Sequence, residues 1–264
     1  MPANPVLNDK RFEQVIAEGY GTAPVERTMT LGGTLSALGV LFALILVSGY
    51  FGWISVHQTT QTVLDKATNQ MVTVNSTSFP GWTIIAALAA FVFAMITIFK
   101  PKAGPIAAPL YALCEGAFLG AISAMYNNSW NGIVVQAVLA TLSVVLVMFV
   151  LYATRIVKVT PKYMLITMAA TGGIMVMYLV TWVAQLFGAN IAFWNDPTPL
   201  GIGISVVIVI VAAMNLAIDF AFIEQSVKAG DTPRRLEWLA ALGVTVTIVW
   251  LYLEILRLLS LLRR

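Results

Sequence analysis

The sequence predicts an all-α integral membrane protein with seven transmembrane helices, and three observations carry that reading. Of its 264 residues 59% are hydrophobic and only 10% charged, against about 25% charged in an ordinary soluble domain. Apolar runs recur along the whole chain, and each has the roughly 17 residues or more that a hydrocarbon core of about 30 Å requires. Finally, an isolated strand cannot satisfy its backbone in lipid, so every run is read as a helix.

Taken in order, residues 1–29 form a polar tail with one short amphipathic possibility around Phe12, Val15 and Ile16. A tail this polar is not the pattern of a cleavable signal peptide, so insertion falls to the first span. The spans run at about 31–54, 82–99, 106–126, 132–153, 163–187, 200–224 and 237–261, making residues 30–264 one membrane domain. Pro161, Pro199 and Pro233 stand where the fifth, sixth and seventh helices should start, a position at which a missing N–H costs nothing. The first loop, VHQTTQTVLDKATNQMVTVNSTSF, is rich in Thr, Asn and Gln and carries His57, the one histidine. A solvated loop histidine is the preferred reading over a pH sensor. Asn75-Ser76-Thr77 matches a glycosylation acceptor, a weak tripeptide signal that means nothing in a bacterium.

The loops give an orientation. Lys10, Arg11, Arg27, Lys100, Lys102, Arg155, Lys158, Lys162, Lys228, Arg234 and Arg235 fall on one side, and Lys66, Arg263 and Arg264 on the other. The cationic side is expected to be cytoplasmic, with the N-terminus inside and the C-terminus outside a plasma or bacterial inner membrane. The terminal Arg pair dissents, and would fit a re-entrant or off-centre seventh helix. The formal charge of +3 is explained by topology and carries no nucleic-acid inference. Cys114 is the single cysteine, which excludes an internal disulfide.

Chemistry is confined to a few ionisable groups inside or at the edge of spans: Glu115, Asp219, Glu224, Glu254 and Arg257. A charge in hydrocarbon costs several kcal/mol, roughly 2.5 or more on insertion scales, and persists only where protein or water surrounds it. The segment EWLAALGVTVTIVWLYLEILRLLSLLRR therefore reads as the central post of the bundle, with Glu254 its most informative group. Arg257, three residues on, either pairs with Glu254 within the helix or snorkels outward and leaves it unpaired. Glu115 is followed by Gly116 and Gly120, a small-xxx-small spacing that admits a neighbouring backbone. Asn215 and Asp219, four apart, share a helix face, whereas Asp219 and Glu224 point about 140° from each other. Asp219 is preferred as the inward group, and Glu224 as a helix end reaching the surface. Two carboxylates meeting in a dry bundle cannot both ionise cheaply and would share a proton. Deprotonated, they would offer part of a weak, transient calcium site, the other oxygens coming from carbonyls or water.

PLYALCEGAFLGAIS in the third helix, DFAFIEQ late in the sixth and LYLEILRLLSLLRR closing the chain resemble the Bax inhibitor 1 (YccA-like) family, in wording close to its bacterial, actinobacterial-type branch. The resemblance covers about residues 28–264. It implies six helices wrapped around a central C-terminal one, and a pH-sensitive latch for a calcium leak between acids on the sixth and seventh helices, here Asp219 and Glu254. This chain departs from the family's pattern in carrying Glu for Asp on the seventh helix and in the longer gap between the two acids. From a hairpin tip near Gly230, Asp219 lies about 16 Å back along one helix and Glu254 about 36 Å forward along the other. Either helix seven starts well outside the membrane, or another acid such as Glu224 or Glu115 must be considered.

Enzymatic readings are weak. A lone His57 makes no zinc pair, no nucleophile stands beside a base, and neither Asp219 nor Glu224 follows a glycine as the intramembrane aspartyl protease signature requires. A retinal protein would need a lysine in helix seven, yet Lys228 is the last one. The expectation is a non-enzymatic protein whose partners are the bilayer and cations, without nucleic acid and without a resident cofactor. A stress-regulatory or interaction protein with structural acids is the competing expectation.

Overall fold

A computed structural model describes residues 28–65, 70–188 and 196–264. Seven helices in it are long and apolar enough to cross a membrane: α1 (Leu31–Ile54), α2 (Trp82–Phe99), α3 (Gly104–Ser129), α4 (Ile133–Ala153), α5 (Pro161–Leu186), α6 (Pro199–Ala229) and α7 (Leu236–Leu262). A short 3-10 turn, Pro101–Ala103, joins α2 to α3. Residues 1–27 of the polar tail, with the helix considered around Phe12, lie outside the described residues.

Local chemistry accounts for the helix boundaries. The hydroxyls of Thr30, Thr160 and Thr198 accept from the backbone N–H groups of Gly33, Tyr163 and Gly201 and so cap α1, α5 and α6. Each satisfies one of the orphan donors of a helix N-terminus. Pro161 and Pro199 open their helices as expected. Pro233 does not: α7 begins three residues later at Leu236, whose N–H donates to the Pro233 carbonyl at 3.0 Å. The loop residue Pro233 bridges Thr28 instead. Gly230 ends α6 at φ 74°, a left-handed conformation that glycine adopts without steric cost.

The first loop reads in the sequence as a polar loop, and here the structure differs. His57–Asp65 (β1) and Gln70–Ser78 (β2) pair antiparallel, with His57 opposite Ser78 and Asp65 opposite Gln70. The cause lies in Thr59, Thr60, Thr62, Val63, Val72, Thr73 and Val74, β-branched residues that favour extended backbone. The hairpin stands outside the helical bundle's spans and leaves the all-α membrane class intact. His57 is exposed at its base.

α7 is the most deeply buried of the seven helices, with Leu242, Leu251 and Leu256 fully enclosed. It packs against α1, α3, α4 and α6. α5 stands apart, leaning on α6 and exposing most of its surface. Where α1 crosses α3 the backbones meet through glycines. A Cβ added at Gly120 would overlap the Gly49 carbonyl, one at Gly52 the Ala117 carbonyl, and one at Gly116 Ser48 and the Ile45 backbone. The small-residue spacing of helix three thus serves α1, and close backbone approach replaces hydrophobic burial, which offers little between helices in lipid.

The basic loops gather at one end. Arg155 reaches Glu224 near the end of α6, Gly104 packs near Trp238 and Arg235, and the Met29 N–H donates to the Thr232 carbonyl at 2.7 Å. The dissenting Arg pair sits at the other end. Arg263 donates to the Asn131 carbonyl and to Gln136, and Arg264 lies 5.5 Å from the Trp130 ring centroid. Both thus lie just past the end of an α7 that runs the length of the bundle.

The glycine crossing makes a sharp prediction. Gly120→Val should destabilise the folded protein by about 3 kcal/mol or more, the upper end of overpacking costs, because the obstruction is backbone that cannot swing away. Thermal unfolding in detergent measures it, and an unchanged midpoint would contradict the packing described.

Candidate functional site

Three buried polar layers lie along α7. The first, at the basic end, is built on Glu237. Its Oε1 accepts from the Thr30 N–H and the Thr30 hydroxyl, both at 3.0 Å, and its Oε2 accepts from Arg234 Nε at 3.4 Å. Gly33 leaves the carboxylate room, since a Cβ there would overlap it. A carboxylate at a helix N-terminus meets unsatisfied N–H groups and the positive end of the dipole, so Glu237 ties α7 to the start of α1.

The second layer holds Asp219, which is completely buried on α6. Thr247 of α7 donates to its Oδ2 at 2.7 Å and also to the Gly243 carbonyl. One turn back on α6, Asn215 donates to Thr171 of α5 at 2.8 Å. The inward stripe expected for Asn215 and Asp219 therefore exists, and its members face different helices.

The third layer is centred on Glu254. Arg257 Nη2 donates to its Oε1 at 2.5 Å, Ser205 of α6 donates to the same oxygen at 3.0 Å, and Tyr178 of α5 donates to Oε2 at 2.9 Å. Arg257 also donates to the Ser205 hydroxyl at 3.0 Å. Both charged side chains are buried, 4% exposed for Glu254 and 9% for Arg257. The layer borders a cavity of about 440 Å³ whose wall includes Met125, Tyr126 and Trp250. The intrahelical pairing of Glu254 with Arg257 was one of the two alternatives left open by the sequence, and the other, an outward-snorkelling arginine, is not what forms.

The acids expected to make a latch are not bonded to each other. Asp219 reaches Thr247, seven residues before Glu254 on α7, so the two layers stand about 10 Å apart along its axis. Glu254 takes its hydrogen bonds from Arg257, Ser205 and Tyr178 instead. The expected direct carboxyl pair gives way to two acids serving one α6–α7 interface at different depths, offset by about half of the roughly 20 Å that the distances from Gly230 imply, because α7 starts only at Leu236.

The secondary candidates separate clearly. Glu224 belongs to a surface cluster, accepting from Tyr152, from Arg155 at 2.5 Å and from Lys228 at 2.5 Å. Exposed pairs of this kind contribute little stability, so Glu224 serves the helix end rather than a buried latch. Glu115 is half-buried on α3 beside the glycine crossing and accepts no hydrogen bond among the described residues. Among the described residues no three His, Cys, Asp or Glu side chains come together to hold a metal ion. The weak calcium site considered at Asp219 and Glu254 would need the Glu254 oxygens to exchange partners they already have.

The sequence does not single out Glu237, Ser205 or Tyr178. Ser205 interrupts GIGISVVIVIV and Tyr178 interrupts GGIMVMYLV, so an isolated polar residue within an apolar run was the available signal. Glu237 opens the seventh span, where a polar residue reads as a boundary.

An all-α polytopic membrane fold with buried acids strung along a central C-terminal helix defines the class. The particular family follows from comparison with known proteins: the model of the family described as Bax inhibitor 1 like matches residues 4–264, and the chain belongs to that family. No curated protein and no solved structure matches it significantly.

The Glu237 layer gives a further prediction. Thr30→Ala removes both the α1 cap and a donor to a buried carboxylate, and should cost about 2 kcal/mol, the upper part of the range for lost caps. Thr160→Ala removes a cap without a buried carboxylate behind it and should cost less. Chemical or thermal unfolding of the two variants in the same detergent checks the order, and equal losses would contradict the role given to Glu237.

Proposed function

We propose that this protein is a proton-responsive cation leak of the plasma or bacterial inner membrane, with calcium as its cation, in which Asp219 and Glu254 hold a closed state. The observation that carries the reading is the Glu254 layer, where one buried carboxylate on the central helix collects bonds from α5 and α6 beside a cavity. The peripheral position of α5 adds support. Beyond its apolar contact with α6, it is joined to the bundle by hydrogen bonds from Tyr163 to the Met214 carbonyl, from Asn215 to Thr171, and from Tyr178 to Glu254. An otherwise lipid-facing helix held by a few polar contacts is the element that changes in those contacts would release. Protonating Asp219 or Glu254 alters the charge that accepts from Thr247 or from Tyr178, Ser205 and Arg257, and so changes the strength of the joints between helices.

The basic end of the bundle supports an N-terminus in the cytoplasm and a C-terminus outside. In this reading the partners are lipid and permeating cations, calcium is bound transiently, no resident cofactor is needed, and no reaction is catalysed. A second reading, a stress-regulatory or interaction protein without transport, is favoured by how fully Glu254 is already satisfied.

Calcium flux into proteoliposomes, followed across pH, separates the two. A leak predicts acid-dependent flux whose pH response flattens in Asp219→Asn and Glu254→Gln, because each substitution fixes one uncharged state. Wild-type protein without flux, or variants that lose thermal stability while the flux profile stays the same, would sink the latch.

A further inference from the structure

Arg257 brings a buried positive charge to the Glu254 layer, beyond the hydrogen bond it gives to the proposed latch. Its guanidinium donates to Glu254 Oε1 at 2.5 Å and to Ser205 at 3.0 Å, while Ser205 and Tyr178 donate to the same carboxylate. Without the guanidinium, Glu254 Oε1 and the Ser205 hydroxyl oxygen would face the space it holds, with Oε2 and the Tyr178 phenol oxygen bonded to it on the other arm of the same carboxylate. That is an all-oxygen donor set of the kind hard cations take. The adjoining cavity of about 440 Å³, walled in part by Tyr126, Tyr178 and Trp250, has room for the displaced side chain and for the waters a weakly held cation retains.

We propose that Arg257 is a tethered cation that fills a cation subsite formed by Glu254, Ser205 and Tyr178, and thereby determines whether a diffusible divalent cation can occupy it. The idea deepens the leak reading and rests on it for flux alone. An arginine suits the post because its planar, weakly hydrated fork tolerates burial better than an ammonium. With the fork in place the layer is locally neutral, and an incoming divalent ion meets a like charge at contact distance. With the fork swung into the cavity, the ring faces of Trp250, Tyr126 and Tyr178 can receive it, and the carboxylate is exposed to an ion. Selectivity then comes from competition between an intramolecular cation and a dissolved one.

The test uses the full-length protein and terbium(III) as the probe, since Trp250 borders the subsite and can sensitise terbium emission. Arg257→Gln should bind terbium about tenfold or more tightly than wild type, since truncating one partner of a buried pair leaves the other charge to be satisfied. Calcium should compete with that emission, and Glu254→Gln added to Arg257→Gln should abolish it. A folded Arg257→Gln variant with wild-type emission would overturn the proposal. Should that variant not fold, Arg257→Lys retains the charge on a shorter stem and should show a smaller gain; no gain in a folded Lys variant likewise overturns it. So does failure of both variants to fold, because an exchangeable occupant is dispensable for the fold. Proteoliposome flux keeps the two readings distinct. A terbium gain with no calcium flux in any variant retires the leak and keeps the subsite, whereas normal flux with no terbium gain retires the subsite and keeps the leak.

Discussion

A charged group is tolerated in hydrocarbon only where protein surrounds it, and α7 carries Glu237, Glu254 and Arg257 with little exposure at any of them. That constraint orders the molecule. Each charge needs donors or acceptors from neighbouring helices, and those neighbours are thereby drawn against α7: α1 through Thr30, α6 through Ser205 and Thr247's partner Asp219, α5 through Tyr178. The apolar remainder contributes little preference between helix and lipid, so polar contacts and close small-residue packing select the arrangement. The α1–α3 crossing at Gly49, Gly52, Gly116 and Gly120 is the packing counterpart of the polar layers.

The buried pair of Glu254 and Arg257 carries a cost as well as a gain. Desolvating two charges rivals their mutual attraction, and such pairs are often replaceable by apolar residues without loss of stability. Its persistence inside a span is better explained by use than by strength. Adjacent to a cavity and to α5, the least buried of the helices, the pair sits where a small rearrangement has somewhere to go. The Glu237 layer differs: it pins the start of α1 to the start of α7 and anchors the end at which the basic loops meet.

Much of this was legible in the residues. Seven spans followed from apolar run lengths, the burial of α7 from the charges within it, and the inward face of Asp219 from its spacing to Asn215. The hairpin was not, because a Thr- and Gln-rich stretch is polar enough to pass for a loop while its β-branched residues favour strands. Nor was the partner of each acid. Periodicity tells which face of a helix is inward but not which neighbour stands there, so Glu254 could be matched with Asp219 on paper although Ser205 and Tyr178 lie opposite it. The uneven distances from Gly230 already placed the two acids at different depths, although counting from Gly230 doubles the offset because α7 starts only at Leu236.

The central claim is that Glu254 fastens the helices on either side of it to α7, and a double-mutant cycle between Tyr178→Phe and Glu254→Gln tests it most directly. Measured by reversible unfolding in detergent, the cycle should show coupling of at least about 0.5 kcal/mol between the two positions. Losses that simply add, within about 0.3 kcal/mol, would mean that Tyr178 and Glu254 act independently, and the account of α7 as the fastening post would fail there.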